Sequence, residues 1–279
     1  MSNPTIAFIG AGNMAAALIG GLVADGTDPR SIIASDPDEA KRETLASASG
    51  IRTTPDNMQA VSEADVVVLA VKPQTLRQVA EGLRASVQQY RPLLLSVAAG
   101  VSSATLDGWL GGNTALVRSM PNTPAMLQCG ATALFANDQV SDAQREQAES
   151  IMRAVGLTRW LDEEKLMDSV TAVSGSGPAY FFLVMEAMQD AAQQLGLDPE
   201  SARLLTLQTA LGAARMAMES NDSPATLRAR VTSPGGTTER ALASFEQDGL
   251  RDIFARALTA ARDRSVELSE ILARDSQDS

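Results

Sequence analysis

The chain has 279 residues, 44% hydrophobic and 20% charged, enough to bury a full core in one large or two medium domains. A formal net charge of −11 argues against nucleic acid as a partner, because phosphate backbones are held by clustered Lys and Arg. Cys129 is the single cysteine and there is no histidine, which excludes an internal disulfide and effectively a zinc site, so no metal is expected.

Residues 1–4 carry no basic region followed by an apolar stretch and a cleavage site, so no export signal and a cytoplasmic location are expected. No stretch approaches the roughly 18 uninterrupted apolar residues of a membrane span, and no membrane partner is expected. Ile6-Ala7-Phe8-Ile9 reads as a buried strand and Asn13 to Ala24 as a helix. Gly10-Ala11-Gly12-Asn13-Met14-Ala15 therefore falls at a strand-to-helix turn, the G-x-G-x-x-A form of the dinucleotide fingerprint, where helix N-terminal amides meet a pyrophosphate. Further β-branched or apolar runs follow at 31–35, 65–71, 93–97, 115–119, 131–136 and 158–161, each bounded by Gly, Pro, Asp or Ser. Strands alternating with helices imply a doubly wound, mostly parallel sheet covered on both faces.

Asp36, after the second strand, stands where such folds place an acid. A carboxylate facing the adenosine ribose would bind both hydroxyls and repel a 2′-phosphate, favouring NADH. One pointing outward would leave Ser35 as the nearest polar contact, which could serve either cofactor, and a third role is to cap the helix expected from Pro37. Ala70-Val71-Lys72-Pro73 ends a strand at the edge where parallel sheets bind ligands, with Lys72 within reach of ribose or phosphates. Ser96-Val97-Ala98-Ala99-Gly100 ends another in small residues that would admit a flat nicotinamide ring. Ser119-Met120-Pro121-Asn122-Thr123-Pro124 reads as a stiff, shaped loop.

From Glu163 onward strand signals cease. Ser176-Gly177-Pro178, Asp198-Pro199 and Ser223-Pro224 read as helix starts and Gly196 as a helix end, so a dinucleotide domain at 1–162 and an all-α domain at 163–279 are expected. Runs such as Tyr180-Phe181-Phe182-Leu183-Val184-Met185 make the second half's helices apolar around much of their circumference, which points to a subunit interface. Two stretches, Ser174-Gly175-Ser176-Gly177-Pro178 and Thr232-Ser233-Pro234-Gly235-Gly236-Thr237-Thr238, read as helix N-termini whose amides and hydroxyls would hold a carboxylate. The polar tail 275–279 is expected to fray.

The five motifs Phe8-Ile9-Gly10-Ala11-Gly12-Asn13-Met14, Ala70-Val71-Lys72-Pro73, Met120-Pro121-Asn122-Thr123-Pro124-Ala125, Val173-Ser174-Gly175-Ser176-Gly177-Pro178-Ala179-Tyr180 and Val231-Thr232-Ser233-Pro234-Gly235-Gly236-Thr237-Thr238 together resemble pyrroline-5-carboxylate reductase. The resemblance implies reduction of L-pyrroline-5-carboxylate to L-proline by NADPH or NADH, the last step of proline biosynthesis. It implies a homodimer with interlocked helical domains, commonly assembled into a decamer as a pentamer of dimers. By motif, Ile9, Gly10, Ala11, Gly12, Asn13, Met14, Ser35, Asn57, Ala70, Val71, Lys72, Pro73 and Ala98 would line the cofactor. Ser233, Gly236, Thr237 and Thr238 would hold the substrate, with the Thr238 hydroxyl near the ring nitrogen as the catalytic group, and Glu164 matches a position near the substrate. Arg230 departs from the neutral amide residues expected there, and Asp36 stands where NADPH-preferring members usually avoid a carboxylate.

The missing histidine suits this chemistry. A ketone reduction generates an alkoxide that needs a proton donor, whereas a protonated imine accepts a hydride and becomes a neutral amine. The rival readings are a 2-hydroxyacid dehydrogenase, whose lysine would have to be Lys165, and a non-enzymatic dinucleotide sensor. Lys165 sits beside Glu163 and Glu164 and reads better as a solvated ion-pair partner, and a sensor has no use for the Pro234–Thr238 segment.

Overall fold

The computed structural model describes residues 4–274, so the tail at 275–279 lies outside the described residues. The chain forms two compact units, one comprising residues up to Ser176 together with those from Ala261 on, the other Gly177 to Ala260.

The first unit is built on an eight-stranded sheet: β1 (Ile6–Ile9), β2 (Ile32–Ser35), β3 (Arg52–Thr54), β4 (Val66–Leu69), β5 (Leu93–Ser96), β6 (Leu116–Met120), β7 (Gly130–Ala136) and β8 (Gly156–Trp160). The order is β3-β2-β1-β4-β5-β6-β7-β8, and every pair is parallel except β6 with β7. The chain winds outward from β1 to β3 and returns to start β4 on the other side of β1, so the strand order reverses between β1 and β4. The helices are α1 (Asn13–Ala24), α2 (Glu39–Ser49), α3 (Asn57–Ser62), α4 (Pro73–Tyr90), α5 (Ser103–Trp109), α6 (Asp142–Arg153) and α7 (Met167–Val170).

Period-two alternation divides each central strand between two cores. Ile6 and Phe8 of β1 join Val66 and Val68 of β4 against Leu18, Ile19 and Leu22 of α1. Ala7 and Ile9 face the other way with Val67 and Leu69, against Leu76, Ala80, Leu83 and Val87 of α4. Strands buried on both faces explain the continuous apolar runs β1, β2, β4 and β5. The run expected at 65–71 forms a strand only over β4, because Ala70 and Val71 already turn toward α4, with Lys72 at its start. β3 gives no such run: it is a three-residue polar edge strand, Arg52-Thr53-Thr54, short as edge strands often are.

The second unit contains α8 (Gly177–Gln194), α9 (Pro199–Glu219), α10 (Pro224–Arg230), α11 (Thr237–Gln247) and the first part of α12 (Leu250–Arg274). Asp198 and Ser223 cap α9 and α10 with prolines at their starts, and Gly196, with φ +98°, follows α8. Little of this unit is buried: α10 and α11 bury no residue, and α9 only Ala202 and Thr206. Phe181, Phe182, Leu183, Leu205 and Leu211 are all more than half exposed. Among the described residues no helix is long and apolar enough to cross a membrane.

Candidate functional site

The parallel strands end level with one another. Ile9 pairs in register with Ser35 and with Leu69, and Leu69 with Ser96, so the turns after β1, β2, β4 and β5 share one edge of the sheet. A cleft of about 880 Å³ opens along part of this edge. Ile9, Gly10, Gly12, Ser35, Asn57, Ala70, Val71 and Lys72 line it, which brings eight of the thirteen expected cofactor residues together. The other five lie around it: Ala11 is buried behind the turn, Asn13 and Met14 form the first turn of α1, Pro73 starts α4, and Ala98 is buried beyond β5.

Gly10 has φ +103°, and a Cβ there would stand 2.7 Å from the Ala70 carbonyl oxygen, so only glycine lets the two strand ends approach. Around Gly12 no atom lies within 4 Å of that position, and α1 starts on Gly12 without a side-chain cap. A helix start without a side-chain acceptor, with room beside its cap residue, is what phosphate binding requires.

Asp36 lines the cleft beside Ser35 but does not cap the helix that follows. Its Oδ2 accepts the Ala11 N–H at 2.9 Å and its Oδ1 the Asp38 N–H at 3.0 Å, and the residue is only 8% exposed. Its carboxylate therefore holds the glycine-rich turn in shape. The helix that follows begins at Glu39 and is capped by Asp38, which accepts the Lys41 N–H. Ser35 Oγ donates to Asn57 Oδ1 at 2.6 Å, joining two expected cofactor residues from β2 and α3.

The cleft also includes residues that no sequence motif marks. Thr75, Gln78, Val79 and Gly82 form a stripe along α4, Met58 adds an exposed thioether from α3, and Lys41 comes from α2. The α4 stripe follows helical spacing, but only the packing of α4 on the sheet shows that this face, and not another, borders the cleft.

In the second unit, Gly235 has φ +72° and Gly236 starts α11 without a side-chain cap. The Gly235 N–H donates to Glu239 Oε2 at 2.7 Å and the Gly236 N–H to Ser233 O at 3.0 Å. Among the described residues the Thr237 and Thr238 amides have no such partner, so the loop keeps two donors at a helix N-terminus, beside the half-buried Thr238 side chain. The Glu239 carboxylate, from the first turn of α11, occupies the neighbouring Gly235 amide. Arg230 turns away into an ion pair with Asp222. At Ser174–Pro178, α8 does start at Gly177 with Pro178 in its first turn, but no open loop precedes it. It continues from a π-turn at Thr171–Gly175, with Ser176 N–H donating to Thr171 O at 2.8 Å and Ser174 Oγ to Val170 O.

Glu164 belongs to the first unit and its carboxylate is engaged there. Oε1 accepts from Ser103 N–H and from Arg118 Nη1, each at 2.6 Å, and Oε2 from Ser103 Oγ at 2.6 Å. Burial pushes its pKa up, but the bonds from the Ser103 hydroxyl, Arg118 and the Ser103 amide outweigh it and hold the carboxyl below the ordinary glutamate value. Lys165 instead forms an exposed pair with Glu163 at 2.5 Å.

Comparison with known proteins agrees with this geometry. The family described as pyrroline-5-carboxylate reductase dimerisation matches residues 164–268, and one described as NADP oxidoreductase coenzyme F420-dependent matches 5–100. A pyrroline-5-carboxylate reductase of Pseudomonas aeruginosa is 54% identical over 98% of this chain and 99% of its own length. The structure of a pyrroline-5-carboxylate reductase from Coxiella burnetii superposes with a TM-score of 0.93 at 49% identity, covering 96% of this chain and 99% of that one. The Plasmodium falciparum enzyme, solved with NADP bound, gives 0.85 at 28% identity, covering 96% and 99%. The chain therefore belongs to the pyrroline-5-carboxylate reductase family, homodimeric enzymes that reduce L-pyrroline-5-carboxylate to L-proline with NAD(P)H.

Proposed function

We propose that the cleft of the first unit binds the reduced dinucleotide and the loop before α11 binds the imino acid. The observation that carries this reading is the pattern of helix capping. α2, α3, α5, α6, α9 and α10 each start on a side chain that accepts a backbone N–H. α1, α4, α7 and α11 do not; α7 runs straight on from the turn at Glu164–Leu166, and the other three begin at the glycine-rich turn, at Lys72-Pro73 and at Gly235-Gly236. Helix starts left without an internal cap are where an anionic ligand supplies the missing acceptor.

On this reading the Gly12, Asn13 and Met14 amides hold the pyrophosphate over a turn shaped by Gly10 and Ala11, whose N–H groups go to Ser35 O and Asp36 Oδ2, while Ser35 and Asn57 hold the adenosine ribose, Ala70 to Pro73 the adjoining ribose and phosphate, and Ala98 the nicotinamide. Asp36 lines the same edge, but both its oxygens accept backbone N–H groups, so on this reading the Ser35–Asn57 pair meets the ribose and either NADPH or NADH is accommodated. The cofactor supplies a hydride. The Ser233 and Thr237 hydroxyls and the Thr237 and Thr238 amides hold the substrate carboxylate, Gly236, its own amide on Ser233 O, leaves room for it, and the Thr238 hydroxyl hydrogen-bonds the ring nitrogen. The protonated imine accepts the hydride at its ring carbon while the C=N electron pair moves to nitrogen, leaving a neutral secondary amine. No group of the protein has to give up a proton, which is why a chain without histidine suffices.

The same reading places the functional division at 162/163, supported by the start of the dimerisation match at residue 164. It places the enzyme in the cytoplasm, as a decamer of five dimers. The roles are tested by Thr238→Ala, which should lower kcat/KM for pyrroline-5-carboxylate about 100-fold while leaving the cofactor Kd within about twofold. Unchanged turnover would remove Thr238 from the site. Sedimentation of the purified enzyme at a mass of two chains alone would exclude the decamer.

A further inference from the structure

We infer that Glu164 is a positioning residue for the nicotinamide end of the cofactor site, acting through the connection between β5 and α5 that carries Ala98. The inference rests on the reading of Ala98 as the surface beneath the nicotinamide.

That connection, residues 97–102, is held at three points. At its start, Ser96 pairs in register with Arg118 of β6, its carbonyl accepts the Ser119 hydroxyl at 2.9 Å, and its own Oγ accepts the Ala98 N–H at 3.3 Å. At its end, Ser103 is the first residue of α5, and the Glu164 carboxylate takes both its amide and its hydroxyl. In the middle, Leu272 Cδ1 of α12 lies 3.4 Å from where a Gly100 side chain would begin. Glu164 links the first two points, because the guanidinium it binds projects from the strand paired with Ser96. Four residues on, Asp168 accepts the Ser265 hydroxyl of α12 at 2.7 Å, so the same short segment also fixes the helix that braces Gly100.

Three of the roughly four lone-pair directions of the Glu164 carboxylate are occupied by donors of its own unit. Such a carboxylate is placed to hold backbone rather than to receive substrate. Ala98, Val101 and Ser103 are all buried, so a shift at Ser103 is passed along a packed segment and is not absorbed by a loose loop. A displacement of a fraction of an ångström at Ala98 would misalign the ring that must sit at contact distance from the imine carbon.

The test uses the full-length enzyme and three variants, Glu164→Gln, Ser103→Ala and Ala98→Val. For each, kcat, KM for pyrroline-5-carboxylate, KM and Kd for NADPH, and the primary isotope effect with NADPH deuterated at the transferred position are measured. Glu164→Gln should lower kcat about tenfold or more and raise the isotope effect as hydride transfer becomes more rate-limiting, with KM for the imino acid within about twofold. Ser103→Ala, which removes only one of the three bonds and cannot touch substrate through Glu164, should move the same two quantities in the same direction by less. It keeps the question open to an answer if Glu164→Gln does not fold. A large rise in KM for the imino acid in Glu164→Gln, with Ser103→Ala behaving as wild type, overturns the proposal in favour of a direct substrate contact. Ala98→Val separates the two layers of the reasoning. If it leaves kcat and the isotope effect unchanged, the placement of Ala98 is wrong; if it impairs both while Glu164→Gln and Ser103→Ala do not, the clamp is wrong and the placement stands.

Discussion

The two units spend their apolar residues in opposite ways. In the first, Phe8, Leu18, Leu69 and Leu95 are fully buried and the sheet carries a core on each face. In the second, Phe181, Phe182, Leu183 and Leu205 stand more than half exposed on α8 and α9, though these helices are as apolar as many core elements. A face of this size is not left to water in a stable protein, and because it lies within the dimerisation match over 164–268, a second copy is expected to cover it. One unit supplies its own core, and the other obtains one only by pairing.

The sharpest way to break this contrast is to place charge on the exposed face. Phe182→Asp combined with Leu205→Asp would bury unpaired carboxylates in the dimer, so the variant should sediment as a single chain and lose nearly all activity. A variant that remains dimeric at micromolar concentration would show that this face is not the interface. The comparator is Leu95→Ala in the first unit, which should cost about 2–5 kcal/mol of unfolding free energy and do so independently of protein concentration.

A smaller effect probes how the first unit is joined internally. Glu164 is 23% exposed at its side chain and Arg118 13%, and losing the charge on one partner should cost on the order of 2 kcal/mol at neutral pH. Because the folded-state pKa of Glu164 lies below its ordinary value of 4.5, this contribution is complete above that value and is lost as pH falls through the lower folded one. The stability difference between the wild type and Glu164→Gln should therefore be flat from neutral pH to about 5 and shrink in more acidic solution. A difference that grows on acidification would contradict the geometry of the pair.

What the sequence discloses follows from how far each signal reaches. β1 and α1 fall at Ile6–Ile9 and Asn13–Ala24, as their patterns of apolar residues and glycines imply, because strand alternation and helix starts are local. β3 escapes because three polar edge residues carry no apolar run. Position places Asp36 at the cleft but does not disclose the hydrogen bond that fixes its carboxylate, which comes from Ala11, 25 residues away. Glu164 reaches partners 61 and 46 residues distant, and nothing near it in the chain marks them. The π-turn at Thr171–Gly175 likewise depends on the register of the backbone, where Gly and Ser suggested a break.

The smallest expected effect separates imine reduction from the reduction of a keto acid. An enzyme of the second kind needs a proton donor, and Lys165 is the sole lysine of the helical half. Its ammonium group lies in an exposed ion pair with Glu163, which raises its pKa and keeps it charged at the surface. Exposed pairs of this kind contribute little to stability and less to chemistry. Lys165→Met should therefore leave kcat and KM for pyrroline-5-carboxylate within about twofold of the wild type. A loss of turnover comparable with that of Thr238→Ala would mean that the reaction draws a proton from the protein after all, and the account of why no histidine is needed would have to be abandoned.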